Sequence, residues 1–404
     1  MDLRDFHISE KTGFCLEDPL EVLPPYFEEW NRITKSLPEL LKKGTVREVV
    51  DKMPLLDCSQ LEGHRQKRLA NLQLSLIASA YVWGKGKDVC KSIPECLAVP
   101  LYKVSQDVGL QTSCCHANRT LANWTLIDPN GNVRTLYPML PGGKESIVAV
   151  INGVDAGDEE TVISNLNIIT DCVNNMTKTL SRMNGVLPMS TFLYDILPLC
   201  SGWGDTDEGI PDGLLFEGVS DKPIKSLDDT AAQSSAIPCV DALLCVTHPP
   251  ERRDFQLRAR SCMPRGHLRF IEAIEQRPNS LRDLVLNSSN SELLAAYNKC
   301  LEANAAFRTR HFQLFARYVI VAQKKKPVSG LNKIGQEADM DALPVTAEDM
   351  SVVTAVKNYP EEQHRRHTPE HVDEYVSHTC PERVRQGAPG SHPPDEAQGT
   401  TNVA

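Results

Sequence analysis

Ser291 to Gln323 is the stretch that most limits how this chain can fold. It contains no Gly and no Pro, so nothing inside it stops a helix. Leu294, Tyr297, Leu301, Asn304, Arg308, His311, Phe315, Tyr318 and Ala322 recur at steps of three and four, which places them on one helical stripe. A stripe facing a core should be apolar throughout. This one is apolar at both ends and carries Asn304, Arg308 and His311 in its middle. An inward Arg needs something to meet its charge.

Two readings fit. In the first, the stripe faces a ligand that is anionic in one place and takes an imidazole in another. Haem has those properties, because its iron accepts a neutral imidazole and its propionates accept a guanidinium. In the second, His311 is a core His bonded to a carbonyl and Arg308 runs its stem over the core with its head at the rim. Spacing alone leaves both open.

At 404 residues the chain is long for one core, and two domains with a tail are expected. A net charge of −10 with both signs interspersed argues against a nucleic-acid partner and offers no basic face to an anionic membrane. No basic start precedes an apolar run, and no stretch approaches the ~20 apolar residues of a membrane span. The 13 cysteines lack framework spacing and include no CxxC, which reads as a reduced, cytoplasmic protein with no zinc site.

Taken in order, Phe6–Phe14 reads as extended and Tyr26–Leu41 as a helix with Phe27, Trp30, Ile33, Leu37 and Leu41 on one face. Val46–Met53 is a short helical piece. Gln60–Trp83 is a long helix, apolar nearly all round in its second half and ended at Gly84. Ile93–Val108 includes a further helix. Asn118–Trp124 and Asn132–Tyr137, joined by Asp128-Pro129-Asn130-Gly131, read as a hairpin. The Gly- and Pro-rich run Pro138–Glu145 is the natural domain boundary. Glu159–Met183 is helical. Asp228-Asp229-Thr230 resembles a helix start, followed by a helix over Ala231–Val246. Helices over Phe255–Met263 and Arg265–Gln276 lead to the central stretch. Residues 327–404 are polar, and their His364, His367, His371, His378 and His392 read as solvated side chains of a disordered tail.

Gly84-Lys85-Gly86 and Gly202-Trp203-Gly204 lack the context of a phosphate loop, and no nucleophile elbow occurs. Two features remain. Thr230-Ala231-Ala232-Gln233-Ser234-Ser235 opens a helix with small residues, which suits either a flat ligand or helix–helix packing. Asp241 lies in an otherwise apolar run, and a buried carboxylate wants a cation. Arg308 is the candidate.

The chain is similar to the indoleamine 2,3-dioxygenase family, which includes the oxygen-storing myoglobins of marine snails. The resemblance runs from about Phe6 to Val321. It is carried by LPPYFEEWNRITKSLPELL, MPLLD, HRQKRLANLQLSLIASAYVWGKG, LANW, SGW, DGLLFEGVSD, AAQSSAIPCVDALLCVTH, CMPRGHLRFIEAIE and RTRHFQLFARY, in the family's order. It implies a mainly α fold in which a small N-terminal mixed helical domain (1–140) lies over a larger all-helical haem-binding domain (141–326), with haem b between them. It implies His311 as the iron ligand, Arg308 as the propionate partner, and Thr230 and Ala231 over the distal face; Asp241, read above as the partner of Arg308, would support that cofactor contact. The implied partners are O2, L-tryptophan or a related indole, and an electron donor that keeps the iron ferrous. The implied reaction opens the indole ring to N-formylkynurenine. Family enzymes place an Arg for the substrate carboxylate in a segment F-x-x-x-L-R-P. Here that segment is Phe192-Leu193-Tyr194-Asp195-Ile196-Leu197-Pro198, so Phe192 is kept and Leu197 replaces the Arg. The glycines that precede the distal residues are Asp228 and Asp229, and Ser146–Val150 lacks the aromatic and hydroxyl of the distal stretch. The resemblance therefore implies intact haem anchoring and weakened tryptophan turnover, or reversible O2 binding without turnover.

Overall fold

The computed structural model describes residues 1–84, 88–125, 140–192, 196–204 and 210–321, and the expected disordered tail lies outside them. The described chain is mainly helical, as expected. Its principal helices are α1 (Glu28–Lys43), α2 (Val46–Val50), α3 (Gly63–Trp83), α4 (Glu95–Val108), α5 (His116–Arg119), α6 (Leu140–Ala156), α7 (Glu159–Ser181), α8 (Ala236–Leu243), α9 (Pro250–Arg260), α10 (Arg265–Glu275), α11 (Leu281–Asn287) and α12 (Ser291–Phe315). Two short strands, β1 (Ser92–Ile93) and β2 (Leu215–Phe216), pair in parallel, with Ser92 opposite Leu215.

Two cores form. One gathers α1 to α4 around the fully buried Phe27, Trp30, Ile33, Leu74 and Leu97, and takes in Trp203, Leu214 and Phe216 from far along the chain. Its central helix α3 is buried almost continuously from Arg68 to Val82. The polar side chains on α3 are tolerated because they bond to one another's neighbours. Asn71 donates to Ser105 Oγ at 3.0 Å, and Asn118 donates to Asn71 Oδ1 and Ser75 Oγ, each at 3.1 Å. Gly202 allows Trp203 to enter this core. A Cβ at 202 would stand 2.4 Å from the Ser226 carbonyl oxygen and 2.5 Å from the Leu227 carbonyl, so only Gly permits that backbone approach.

The other core joins α6, α7, α8, α10, α11 and α12 with Leu3, Ile8 and Phe14 from the N-terminus. The α7 and α12 helices pack along each other, and α6 lies on α7. Asn290 caps α12 by accepting from the backbone of Glu292 and Leu293.

Several expectations need correction. Asn118 is helical, in α5, and not in a hairpin strand; its side chain accepts from the Cys115 backbone N–H at 2.9 Å and closes the helix start. The second hairpin strand and its turn lie outside the described residues. The described part of the Gly- and Pro-rich run is helical, as the opening of α6. Asp228-Asp229-Thr230 starts no continuous helix: a 3-10 turn at Ala231–Gln233 precedes α8, which begins at Ala236. Asp228 instead accepts from the Gly202 N–H at 2.7 Å, and Asp229 pairs with Arg119. On α12, the stripe holds at Tyr297, Asn304 and Tyr318, but Phe315 is 46% exposed and Leu314 is buried in its place. A three–four repeat has period 3.5 and drifts about 20° per heptad against a real helix. The π-helical turn Ala316–Val321 then returns Tyr318 to the core.

Two imidazoles, His267 buried and His116 partly buried, set an acid limit on stability. His267 shares a 3.0 Å hydrogen bond between Nδ1 and Ser235 Oγ and meets the edge of Phe14 at 5.0 Å. Burial, with Arg68, His7 and His116 nearby, pushes His267 down to about 3. Burial and Arg119 push His116 down to about 4. Below about pH 6.5 the unfolded chain takes up protons that these rings refuse, so stability falls as pH falls, by up to about 1.4 kcal/mol per pH unit for each ring. A His267→Gln variant should lose one ring's share of that slope between about pH 6 and 4. Denaturant titrations at several pH values measure it, and equal slopes in both proteins would refute the assignment.

Candidate functional site

Asp241 is the hub of the polar centre in the second core. It sits on α8, with its side chain 7% exposed. Asn304 Nδ2 donates to its Oδ1 at 2.8 Å, Arg308 Nη2 donates to its Oδ2, and His248 Nε2 lies 3.2 Å from the same oxygen. Burial opposes charge on Asp241, but Arg308 and His248 outweigh it and hold the carboxyl below its ordinary value. The lone carboxylate of an apolar run and the lone Arg of an apolar stripe thus do meet. Tyr297, on the same face of α12 as Asn304, donates to the Leu244 carbonyl at 2.7 Å and fixes α8 against α12.

His311 follows Arg308 by one turn and is partly buried. Burial, then the Arg308 charge, lower its proton affinity, so the ring is neutral at neutral pH. It makes no hydrogen bond to the described residues. Arg308 keeps donors in reserve, since its Nε is buried without a partner.

Phe192 and Leu197 come together with the same helix farther along. They pack on Leu314 and Tyr318, and the Phe192 and Tyr318 rings meet edge to face at 5.5 Å. Tyr318 donates to the carbonyls of Met183 and Leu187, each at 2.8 Å. Thr230 and Ala231 lie apart from the Asp241 hub. Ala231 is exposed and Thr230 partly buried, and their 3-10 turn packs mainly against α9 and α5.

Among the described residues, no group of three His, Cys, Asp or Glu side chains could hold a metal ion. A metal bound through His311 would need donors from a non-protein group. Haem meets that condition: a porphyrin would supply four nitrogens to the iron, a neutral imidazole could complete its hold on the protein, and its acid groups suit a guanidinium with donors to spare. A free neutral imidazole at 311 and the unpartnered Nε of Arg308 fit both requirements.

Sequence reasoning missed His248, which sits in irregular chain before Pro249 with no periodicity to mark it. It also missed the Arg119–Asp229 pair, whose partners lie far apart in the chain. Asn304 was visible on the stripe one turn before Arg308, and its carboxylate partner was the missing piece. Among the described residues, no helix is long and apolar enough to cross a membrane.

The profile described as indoleamine 2,3-dioxygenase matches residues 2–140 and 137–368. A myoglobin of Haliotis madaka is 36% identical over 345 residues, covering 80% of this chain and 90% of that protein. Indoleamine 2,3-dioxygenase 2 of Homo sapiens is 35% identical over 351 residues, covering 80% and 86%. Indoleamine 2,3-dioxygenase 1 of Rattus norvegicus is 32% identical over 357 residues, covering 81% and 87%. With its two cores, its long helix and a match spanning nearly the whole sequence, the chain belongs to the indoleamine 2,3-dioxygenase family.

Proposed function

We propose that this chain is a haem b protein that opens the indole ring of L-tryptophan, or of a related indole, to N-formylkynurenine. Both atoms of O2 enter the product as the C2–C3 bond of the indole breaks, and an electron donor keeps the iron ferrous between turnovers. The observation that carries the reading is the pair on α12: a neutral imidazole at 311 with no hydrogen bond to the described residues, one turn after a guanidinium anchored by Asp241.

When bound, haem supplies the activation of O2. The chain's own residues hold and shape. His311 would ligate the iron. Arg308 would hold propionate, kept in line by Asp241, Asn304 and His248. Phe192 and Leu197 would give the substrate an apolar wall, and Thr230 and Ala231 would lie over the distal face. Leu197 offers the substrate carboxylate no cation. A lost Arg–carboxylate pair in a desolvated site costs about 2–5 kcal/mol, so slow turnover or a raised KM for tryptophan is expected.

Leu197 and the 36% identity to a Haliotis myoglobin favour a second reading, reversible O2 binding without turnover. Steady-state assay of the reduced, haem-loaded protein with L-tryptophan separates the two. Formation of N-formylkynurenine at ordinary rates excludes the oxygen carrier. A long-lived oxy complex indifferent to tryptophan excludes the enzyme. Purified protein without a Soret band would overturn both.

A further inference from the structure

Outside the Asp241 hub, one charged pair lies where a buried acid meets a partly open cation. Asp229 has a side chain 1% exposed, and Arg119, on α5, has one 32% exposed. Arg119 uses only its Nε, donated to Asp229 Oδ2. Its two Nη groups make no hydrogen bond among the described residues. Asp229 Oδ1 and the neighbouring Thr230 Oγ1 are both buried and lack a partner. An ion pair built only to stabilise the fold would use those atoms, because an unmet buried polar atom costs about 1–3 kcal/mol.

The surroundings hold this pair still. The Asp229 N–H donates to the Cys200 carbonyl at 2.8 Å, which ties it to the 3-10 turn Leu197–Cys200. Gln233 accepts from the His116 N–H at 3.0 Å and donates to the Asp228 carbonyl at 2.8 Å, closing the loop onto α5. Cys200 lies close enough to Arg119 for the guanidinium to act on its thiol, although burial dominates and pushes that thiol up to about 12. Arg119 therefore stands beside the turn that begins with Leu197, the position that lacks a cation.

We propose that Arg119 binds the carboxylate of the substrate through its free Nη groups. Asp229 fixes the guanidinium by its Nε edge, and the unmet acceptor Asp229 Oδ1, with Thr230 Oγ1, faces the ammonium of the same amino acid. The pair is thus a subsite for an α-amino acid zwitterion, with the charge absent at 197 supplied from α5. This rests on the indole-oxidising reading above.

The test is a binding titration of haem-loaded protein, followed by Soret difference spectra and by calorimetry, with three probes. L-tryptophan carries both charges, indole-3-propionate only the carboxylate, and tryptamine only the ammonium. In Arg119→Gln, affinity for tryptophan and indole-3-propionate should fall at least about thirtyfold, while tryptamine stays within about threefold. Because Arg119→Gln strands a buried acid, Arg119→Gln/Asp229→Asn is measured beside it, with haem content and melting temperature checked in both. The double variant should keep the loss of the two carboxylate probes and add a loss for tryptamine, because Asp229 is the acceptor of the ammonium. In Arg119→Gln, unchanged affinity for tryptophan, or equal loss of all three probes, overturns the role of Arg119 and leaves the parent reading standing. A wild-type protein that responds to none of the three overturns both.

Discussion

Asp241→Ala is expected to destabilise the protein by about 3–5 kcal/mol, because it removes one charge and strands the groups gathered around it. Arg308 keeps a cation in the core with its Nε already unmet. Asn304, 2% exposed, loses the acceptor of its amide. His248 loses the oxygen 3.2 Å from its ring. The geometry separates electrostatics from size. Asp241→Asn keeps the volume and one acceptor but not the charge, so it should cost about 2 kcal/mol, the scale of a hydrogen bond to a charged group. Denaturant midpoints at neutral pH provide the measurement. A loss below about 1 kcal/mol for the Ala variant would show that Arg308 reaches water and never depended on Asp241.

The hub was legible in part because two of its members broke a local rule. Asp241 interrupts an apolar run, and Arg308 interrupts an apolar stripe. Two such exceptions of opposite charge in one core have few partners other than each other. His248 broke no rule, since a His before two prolines looks like any exposed turn. Only the fold, by bringing the end of α8 back toward α12, reveals it.

Two of the errors share one cause. Asp228-Asp229-Thr230 has the residue types of a helix start, and local propensity alone favours one there. Its acids are engaged instead by Gly202 and Arg119, distant in sequence. The Gly-rich opening of α6 reads as a break by propensity, yet Lys144 is 3% exposed and donates to the Glu10 carbonyl at 2.7 Å. Tertiary contact there outweighs the modest helix penalty of Gly, about 1 kcal/mol per residue. The stripe on α12 drifted for a geometric reason, a period of 3.5 laid on a helix of 3.6. Local pattern thus located the helices and the oddities within them, and long-range pairing decided what the oddities do.

His311→Ala should leave the fold nearly intact and abolish haem retention. The stability side follows from the ring's surroundings. It is partly exposed and bonded to none of the described residues, so truncation removes some packing and strands no partner, a cost of about 1 kcal/mol. The haem side follows from the shortage of substitutes. His267 is committed to Ser235, and His248 lies against Asp241. His116 sits on α5, which packs against α3 and the Ala231–Gln233 turn. None would replace the imidazole that His311 would give to the iron. Purified His311→Ala should therefore lack a Soret band while melting within a few degrees of the haem-free wild type, and added imidazole should restore part of the absorbance. This contrasts with Asp241→Ala, which should lose stability and haem together. Stoichiometric haem in His311→Ala would mean that the iron is held from elsewhere, and that α12 carries an unbonded imidazole for some other reason.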